Sequence, residues 1–217
     1  MKIAAFSSIL IGIVSVLPAL CAGASVSAIT LEQLNKAVSS RASDSSCASV
    51  STPSECAPNS RAVMAINHAI AKYGVTSTGE IAALIALMAY ESADWQYNIN
   101  HYPGRPGQGT KAMLMYDFIE KYAQQVHQSE ATRVLISGGN SDSAKNSVRE
   151  LVLNDDDSFG AVFWYLVTQA PAFHNNPAKL RAGNADDFKE YVVNGVNAGW
   201  DDKRMSIWNQ VNSAFQG

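Results

Sequence analysis

From residue 59 onward, apolar and polar positions recur with the period of an α-helix. The first predicted helix runs up to Gly74, because glycine readily adopts the left-handed conformation found just after a helix. Ser77 and Glu80 follow at the spacing of a capping box and predict the start of a second helix. Apolar residues fill most positions of this second helix: Ile81, Ala82, Ala83, Leu84, Ile85, Leu87, Met88 and Ala89. A helix that is apolar on most sides is expected to lie in the centre of the fold.

The second helix is followed by a long segment rich in glycine and proline, residues 93–110. Alternating apolar positions permit a short strand there, but Pro103 and Pro106 forbid a regular sheet. Helical periods resume over residues 111–126, 143–153, 158–169, 185–196 and 201–215. The expected fold class is therefore mainly α, in an α+β arrangement in which a helical domain carries a short hairpin or loop insertion.

Residues 1–24 have the pattern of a secretory signal peptide, with one early lysine, an apolar centre and small residues at the exit. A membrane anchor is the alternative, which Pro18 and the small-residue exit disfavour. Residues 25–46 are rich in serine and alanine and are interpreted as an arm or pro-segment. Residues 47–217 are interpreted as the functional domain of a secreted, extracellular protein.

The composition is 47% hydrophobic and 16% charged, which is typical of a globular protein and excludes a disordered or coiled-coil chain. The formal net charge is −3 and there is no basic stripe, so nucleic acid is not an expected partner. Cys47 and Cys56 are the cysteines that remain after signal cleavage, and in an oxidising compartment they are predicted to pair. The mature chain is expected to be a monomer without membrane contact.

Glu91 is the leading candidate for catalysis, because it falls on the same predicted helix face as Leu84 and Met88. A partly desolvated carboxyl at the end of a buried helix, opening onto a polar loop, is suited to general-acid work. Two structural alternatives are a glutamate that bonds its own loop and a glutamate that faces solvent where the helix ends.

A second catalytic group is needed if the reaction is glycoside hydrolysis, which normally uses two carboxylates. Asp94 stands three residues after Glu91, and Asp117 lies on the next predicted helix. Each has a structural alternative, as an exposed residue at a helix end or as a solvated helix acid. A water molecule held by the amides of Asn98 or Asn100 is the third alternative.

The loop after Glu91 combines amide and hydroxyl groups with flat aromatic faces, a mixture that suits sugars. We predict substrate-binding roles for Trp95, Tyr97, Asn98, Asn100, His101, Tyr102, Gln108 and Thr110. For any one of these side chains, the alternative is that it satisfies the backbone of its own loop.

Neither a metal site nor a cofactor is expected from the sequence. The four histidines share no zinc-ligand spacing, and residues 155–157, although all aspartate, lack the glycine and glutamate of an EF-hand. The sequence contains no G-x-S-x-G motif, which weakens a serine hydrolase interpretation.

Residues 89–110, which begin Ala-Tyr-Glu-Ser-Ala-Asp-Trp, resemble the catalytic segment of small secreted fungal lysozymes (muramidases) with a lysozyme-like α fold. Residues 158–169 and 201–208 are similar to later parts of that family, so the resemblance extends over residues 47–217. It implies that Glu91 is the general acid. Ala93 and Ala170 depart from the family pattern, which has glycine at the first position and cysteine near the second. The methyl group of Ala93 would tighten the turn that presents Glu91.

The residues and the resemblance together predict a secreted glycoside hydrolase that cleaves β-1,4 linkages in bacterial peptidoglycan, with a polysaccharide as its partner. In this hypothesis Glu91 protonates the leaving oxygen, and Asp94 or an amide-held water assists from the opposite face. The alternatives are a chitinase or chitosanase with the same fold, and a non-catalytic secreted protein that binds glycans or acts as an effector.

Overall fold

The computed structural model describes residues 28–216, so the predicted signal peptide lies outside the described residues, as do residues 25–27 and Gly217. Its helices are α1 (Leu31–Ala37), α2 (Asn59–Tyr73), α3 (Thr78–Glu91), α4 (Tyr116–Val126), α5 (Gln128–Gly138), α6 (Asp142–Glu150), α7 (Asp155–Thr168), α8 (Pro171–His174), α9 (Ala185–Glu190) and α10 (Asp202–Gln216). Short 3-10 turns lie at Ser39–Arg41, Asp44–Cys47 and Leu180–Ala182. The prediction of a mainly α fold is confirmed.

Helix α3 lies at the centre of the fold because nearly all of its positions are apolar. Its residues from Gly79 to Ala89 are buried, and it packs against both α10 and α7, while α2 packs along α7. The Ser77 hydroxyl accepts a hydrogen bond from the backbone N–H of Glu80 and begins the helix at the predicted place. The helix ends at Glu91, so that residue stands where the core meets the surface.

Several helices differ from their predicted bounds. Helix α4 begins at Tyr116 rather than at residue 111, because Thr110 and Met113 have φ angles of 70° and 47°, which no α-helix contains. The helix predicted over residues 185–196 is α9 followed by a wide helical turn at Tyr191–Gly195. Helix α5 has no counterpart in the prediction, because it buries Ala131 alone and its apolar pattern is correspondingly weak.

The predicted hairpin insertion is a folded loop with isolated bridges. Gly109 pairs with Ile99 and with Leu114 through single antiparallel bridges, and within residues 28–216 no longer strand pair forms around them. A Cβ atom at residue 109 would lie 2.5 Å from the carbonyl oxygen of Asn98. Glycine therefore permits the close approach of the two backbone segments that closes the loop.

Residues 28–46 pack against the rest of the fold, and the interpretation of residues 25–46 as an arm or pro-segment stays a prediction. Helix α1 packs against α10 and α2, and its flank buries Leu34, Ala37 and Val38. The side chain of Gln33 completes a capping box with Thr30 at its start. The amphipathic pattern of this short segment therefore corresponds to a helix.

Over residues 28–216, no helix combines the length and the apolar character needed to span a bilayer.

Candidate functional site

A groove of about 510 Å³ opens where α3 ends and the glycine- and proline-rich loop begins. We call it the polar groove, because side chains with hydroxyl, amide, imidazole and carboxyl groups are among those that line it. The residues that line it are Ser51, Thr52, Glu91, Tyr97, Ile99, Asn100, His101, Tyr102, Gln108 and Met113. The helix end and part of the loop after it therefore line one cavity.

A smaller cavity of about 160 Å³, which we call the apolar pocket, adjoins the polar groove. Three residues line both cavities, namely Glu91, Gln108 and Met113. The rest of the apolar pocket is mostly hydrocarbon, contributed by Ala112, Leu114, Met115, Phe118, Tyr165, Val196, Asn197 and Ala198. Glu91 is the charged side chain at the junction between a hydrogen-bonding cavity and an apolar one.

Glu91 is paired with an arginine that is distant in the sequence. Arg204, in the first turn of α10, donates a hydrogen bond from Nη2 to Oε1 of Glu91 at 2.6 Å. The guanidinium also stacks on Tyr90, with Cζ 3.7 Å from the ring centroid. Arg204 is buried, whereas the side chain of Glu91 keeps 22% of its exposure. The carboxyl is thus not the isolated group expected from the sequence, and its Oε2 is the oxygen left to accept a bond from a ligand.

A second polar pair ties the start of α10 to the end of α3. The Tyr90 hydroxyl donates to Oδ2 of Asp201, and Oδ1 of Asp201 accepts the backbone N–H of Arg204. The hydrogen bond to Asp201 raises the pKa of Tyr90, and the same bond lowers the pKa of Asp201. The neighbouring residues Tyr90 and Glu91 are therefore both anchored to the first turn of α10.

The chain turns sharply after Glu91 through three consecutive residues in the left-handed conformation. Ala93, Asp94 and Trp95 have φ angles of 51°, 56° and 63°. Such a conformation costs a non-glycine residue about 1–2 kcal/mol, so other contacts must hold the turn. Ser92 supplies two of them, since its Oγ donates to a carbonyl in the last turn of α3 and accepts the backbone N–H of Trp95.

Distant segments also hold this left-handed turn. Arg41 donates from Nε to the carbonyl oxygen of Asp94 at 2.6 Å. The Trp95 side chain is fully buried, donates from Nε1 to Asn59 at 2.9 Å and packs edge-on against Phe159. Because these contacts hold the turn from several segments of the chain, residues other than glycine can keep the left-handed conformation there.

Lys111 is a buried cation that joins three backbone segments. Its Nζ donates to the carbonyl oxygens of Glu55, Trp95 and Tyr97 at 2.6, 2.9 and 3.3 Å. An ammonium group carries three N–H donors, which matches the three acceptors. Desolvation lowers the pKa of Lys111 to about 7, against the attraction of the Asp155 and Glu55 carboxylates. The loop that forms the groove is therefore fastened at one interior point.

Glu55 and His101 form a carboxylate–imidazole pair on the loop side of the polar groove. Oε1 of Glu55 lies 2.6 Å from Nε2 of His101, and Oε2 accepts the backbone N–H groups of Asn98 and Ile99, each at 3.0 Å. The carboxylate side chain is 10% exposed and the imidazole 49%. His101 also packs edge-on against Tyr97. The groove thus has one group able to exchange protons on each side, Glu91 and His101.

The structure brings six predicted site residues into the polar groove: Glu91, Tyr97, Asn100, His101, Tyr102 and Gln108. Three predicted binding residues, Trp95, Asn98 and Thr110, are buried instead and do not line the groove. Asn98 donates its amide to a carbonyl before α7, and the backbone of Thr110 donates to Asn98. Asn98 and Thr110 belong to the interior of the loop, where side chains serve the loop itself.

Neither predicted second carboxylate lies in the polar groove. Oδ2 of Asp94 accepts a hydrogen bond from the Ser40 hydroxyl at 2.8 Å, on the other side of the turn. The expected helical spacing to Glu91 does not apply, because α3 ends at Glu91 and the left-handed turn redirects Asp94. Asp117 is exposed in the first turn of α4.

Asn100 was the alternative holder of a catalytic water, and its amide oxygen is already occupied. Oδ1 accepts the backbone N–H groups of Gly104 and Arg105 at 2.9 and 3.2 Å. Asn100 lines the groove, but its acceptor shapes the turn that follows it.

Sequence reasoning missed several residues of the site, above all Glu55, Lys111, Arg204 and Met113. The partners of Glu55, Lys111 and Arg204 lie far along the chain, so no local spacing points to these three residues. Proximity to Cys56 was the one available signal for Glu55, because a disulfide-bonded segment has a fixed place in the fold. The structure does join Cys47 to Cys56, with their Cα atoms 5.6 Å apart. Within residues 28–216, no group of three His, Cys, Asp or Glu side chains is placed to hold a metal ion.

Comparison with known proteins gives a similarity over part of the chain. Over 97 residues, 44% of this chain, it is 42% identical to a bifunctional dioxygenase (DOX)-epoxy alcohol synthase (EAS) of Fusarium oxysporum. The chain spans only 8% of that protein's length. No protein-family model and no solved structure matches the chain.

These findings correct the expected family and activity. The similarity to a dioxygenase and epoxy alcohol synthase contradicts the resemblance to fungal muramidases, so the prediction of a glycoside hydrolase acting on peptidoglycan is wrong, as are its chitinase and chitosanase alternatives. The similar protein is an enzyme, which is consistent with catalysis by this chain but not with glycoside hydrolysis. The resemblance depended on a local pattern, a glutamate at a helix end before a glycine-rich loop. The predicted second carboxylate, Asp94 or Asp117, does not line the groove with Glu91.

Proposed function

We propose that this chain is an enzyme that transfers protons at the oxygens of an amphiphile bound across the polar groove and the apolar pocket. The observation that carries the proposal is the position of Glu91, which lines both cavities. Arg204 donates to Oε1, which leaves Oε2 as the proton acceptor in this proposal. In the proposed step, a hydroxyl proton of the ligand passes to Oε2 of Glu91.

The chemistry of the two cavities supports an amphiphilic ligand. Gln108 lines both cavities, donates its amide N–H to Met113, and is only 8% exposed. Its Oε1 is buried without a protein partner in the described part of the chain. A ligand hydroxyl can donate to Oε2 of Glu91 at this junction, because Arg204 bonds only the other oxygen of that carboxylate. The carbon-lined apolar pocket then takes an adjoining hydrocarbon segment.

The name of the similar protein suggests which amphiphile to consider as the ligand. Its name states that it synthesises an epoxy alcohol, a compound that combines an epoxide and a hydroxyl group. Oxygens of both kinds suit the hydrogen-bonding surface of the polar groove. An epoxy alcohol with an alkyl chain is therefore the first substrate to test.

A polysaccharide is the second ligand class, proposed here for binding alone. Tyr97 and Tyr102 stand on the groove surface, and Tyr102 is 92% exposed. Such rings stack on the apolar faces of sugars.

We also propose that the chain is exported and acts outside the cell as a monomer. The disulfide between Cys47 and Cys56 supports export, since such bonds persist in oxidising compartments. The pattern of residues 1–24 supports it independently.

The proposed function is tested by incubating the purified chain with an alkyl epoxy alcohol and separating the products by mass spectrometry. We expect conversion by the wild-type chain and at least about 100-fold slower conversion by Glu91→Gln, the lower end of the range for proton-transfer groups. Binding by Glu91→Gln should stay within about threefold of wild type, because glutamine keeps the shape of the side chain.

Glu130→Gln is the matched control, because Glu130 is exposed on α5 and outside both cavities. It should convert the epoxy alcohol at the wild-type rate. Binding of a soluble chitin oligosaccharide with no binding of the epoxy alcohol would replace the first ligand class by the second. Equal conversion by wild type and Glu91→Gln, or no binding of either ligand, would overturn the proposal.

A further inference from the structure

The Glu55–His101 pair is a second proton-exchange unit in the polar groove, and the surrounding bonds determine how it is oriented. Oε2 of Glu55 accepts two backbone N–H groups, from Asn98 and Ile99. The carboxylate is therefore fixed in place, and Oε1 is the oxygen presented to Nε2 of His101 at 2.6 Å. An ionised carboxylate can only accept, so the proton of this bond belongs to Nε2.

The consequence of this bond is a fixed tautomer of the histidine. With Nε2 protonated, the neutral imidazole carries its lone pair on Nδ1. Half of the His101 side chain is exposed, and the residue lines the polar groove together with Glu91. The edge-on contact with Tyr97 limits rotation of the ring. Nδ1 is thus the nitrogen free to exchange a proton with a bound ligand.

We propose that His101, oriented by Glu55, is a second catalytic residue of this groove and gives a proton from Nδ1 to an oxygen of the ligand. This proposal rests on the proposed function, in which Glu91 removes a proton from another oxygen. In an epoxy alcohol, the oxygen that loses its proton to Glu91 bonds to the neighbouring epoxide carbon, the epoxide C–O bond breaks, and the released oxygen takes the proton from Nδ1. The product is therefore an isomer of the ligand, with the same number of protons. After donation the ring is left as the neutral Nε2–H form, which Glu55 already binds, and solvent restores the proton on Nδ1.

The substitution Glu55→Gln tests the orientation of the His101 ring without removing the loop contacts that Glu55 makes. The two backbone N–H groups require an acceptor, so the glutamine oxygen takes the place of Oε2 and its NH₂ faces His101. A donor at that position forces Nε2 to accept and moves the imidazole proton to Nδ1. The variant therefore keeps the loop contacts and reverses the tautomer of the neutral histidine.

The tautomer is read directly from the ¹⁵N spectrum of the histidine-labelled chain, with His101→Gln to assign its signals. In the wild-type chain the neutral ring should show a protonated Nε2 and an unprotonated Nδ1, and Glu55→Gln should exchange the two. His101→Gln and Glu55→Gln should each lower the conversion rate about 100-fold or more. The first variant lacks the proton donor, and in the second the glutamine NH₂ facing Nε2 disfavours the doubly protonated ring that donates from Nδ1. His68→Gln is the control, because His68 is exposed and pairs with Asp156 outside the groove.

Two results would overturn the inference. One is a wild-type His101 protonated at Nδ1 in its neutral form, a finding that does not depend on any activity. The other is conversion by His101→Gln within about threefold of wild type while Glu91→Gln is inactive, which would leave the proposed function standing without His101. Loss of activity in His101→Gln with wild-type activity in Glu91→Gln would instead overturn the role of Glu91.

Discussion

The two sides of the polar groove are held together in different ways. On one side Glu91 lines the groove, and we call it the helical wall together with Tyr90 beside it on α3 and Arg204 at the start of α10. On the other side His101 lines the groove, and we call it the loop wall together with Glu55 and Lys111, which lie behind the surface of the groove. In the helical wall, side chains pair with side chains on two packed helices. In the loop wall, the charged groups of Glu55 and Lys111 bind mainly backbone N–H and carbonyl groups.

The difference lies in what each wall loses when one charge is removed. The helical wall keeps the packing of α3 against α10, which no single ion pair supplies. The loop wall has few regular backbone bonds, so Lys111 and Glu55 satisfy groups that a helix would satisfy by itself. Buried charges therefore take the place of secondary structure on the loop wall.

The loop wall should be the more fragile of the two. We expect Lys111→Met to lower the free energy of unfolding by about 3 kcal/mol, because buried carbonyls left without a donor cost about 1–3 kcal/mol each. Urea denaturation followed by tryptophan fluorescence measures the change. Lys121→Met, at an exposed position of α4, serves as the control and should change stability by less than about 0.5 kcal/mol. Equal effects of the two substitutions would contradict the role given to Lys111.

Removing the cation of the helical wall, Arg204, should lower the free energy of unfolding by less than removing Lys111 from the loop wall. Arg204→Met leaves the Glu91 carboxylate without a partner, and we expect a loss of about 2 kcal/mol, below the range for fully buried pairs because Glu91 is partly exposed. Adding Glu91→Gln to Arg204→Met should recover part of that loss in a double-mutant cycle. Strictly additive losses would show that the pair is not coupled.

The loop wall should also make stability depend on pH. The pKa of Lys111 is lowered to about 7 in the folded chain, below the ordinary value of 10.5. Between these two values the unfolded chain binds more protons, so the free energy of unfolding rises with pH there, by at most about 1.4 kcal/mol per pH unit. Lys111→Met should remove this rise between pH 7 and 9. The same slope in wild type and variant would contradict the shift.

The left-handed turn between the walls should give the smallest effect, with the opposite sign. Ala93 is exposed and has a φ angle of 51°, so Ala93→Gly should stabilise the chain by about 0.5–1 kcal/mol after the entropy of the unfolded glycine is counted. Ala71→Gly, at an exposed helical position of α2, should destabilise it instead. Destabilisation by both changes would mean that the turn is not strained at Ala93.

The helical wall was the more predictable wall because its signals are local. The period of α3 and the capping spacing of Ser77 and Glu80 place Glu91 at a helix end, where the structure has it. Arg204 is more than a hundred residues away from Glu91, and nothing in its own neighbourhood indicates the pairing. The mainly α fold was predictable for the same reason, because the period of apolar residues that indicates a helix spans only a few residues.

The loop wall was not predictable because its polar groups act at a distance. Trp95 and Thr110 have the residue types of a sugar-binding loop, yet both are buried. Asp94 faces away because three consecutive left-handed residues redirect the chain, and no pattern rule anticipates them at non-glycine positions. The muramidase interpretation failed here as well, because it depended on local motifs from the same segment.

The central claim is that one ligand occupies the polar groove and the apolar pocket together, and the methionine methyl groups test it most directly. Met113 lines both cavities and Met115 lines the apolar pocket, whereas Met64 is exposed on α2 and lines neither. In the methyl NMR spectrum of the labelled chain, titration with an alkyl epoxy alcohol should shift the Met113 and Met115 signals to saturation and leave Met64 unmoved. Saturable binding that leaves Met113 unmoved would contradict the account.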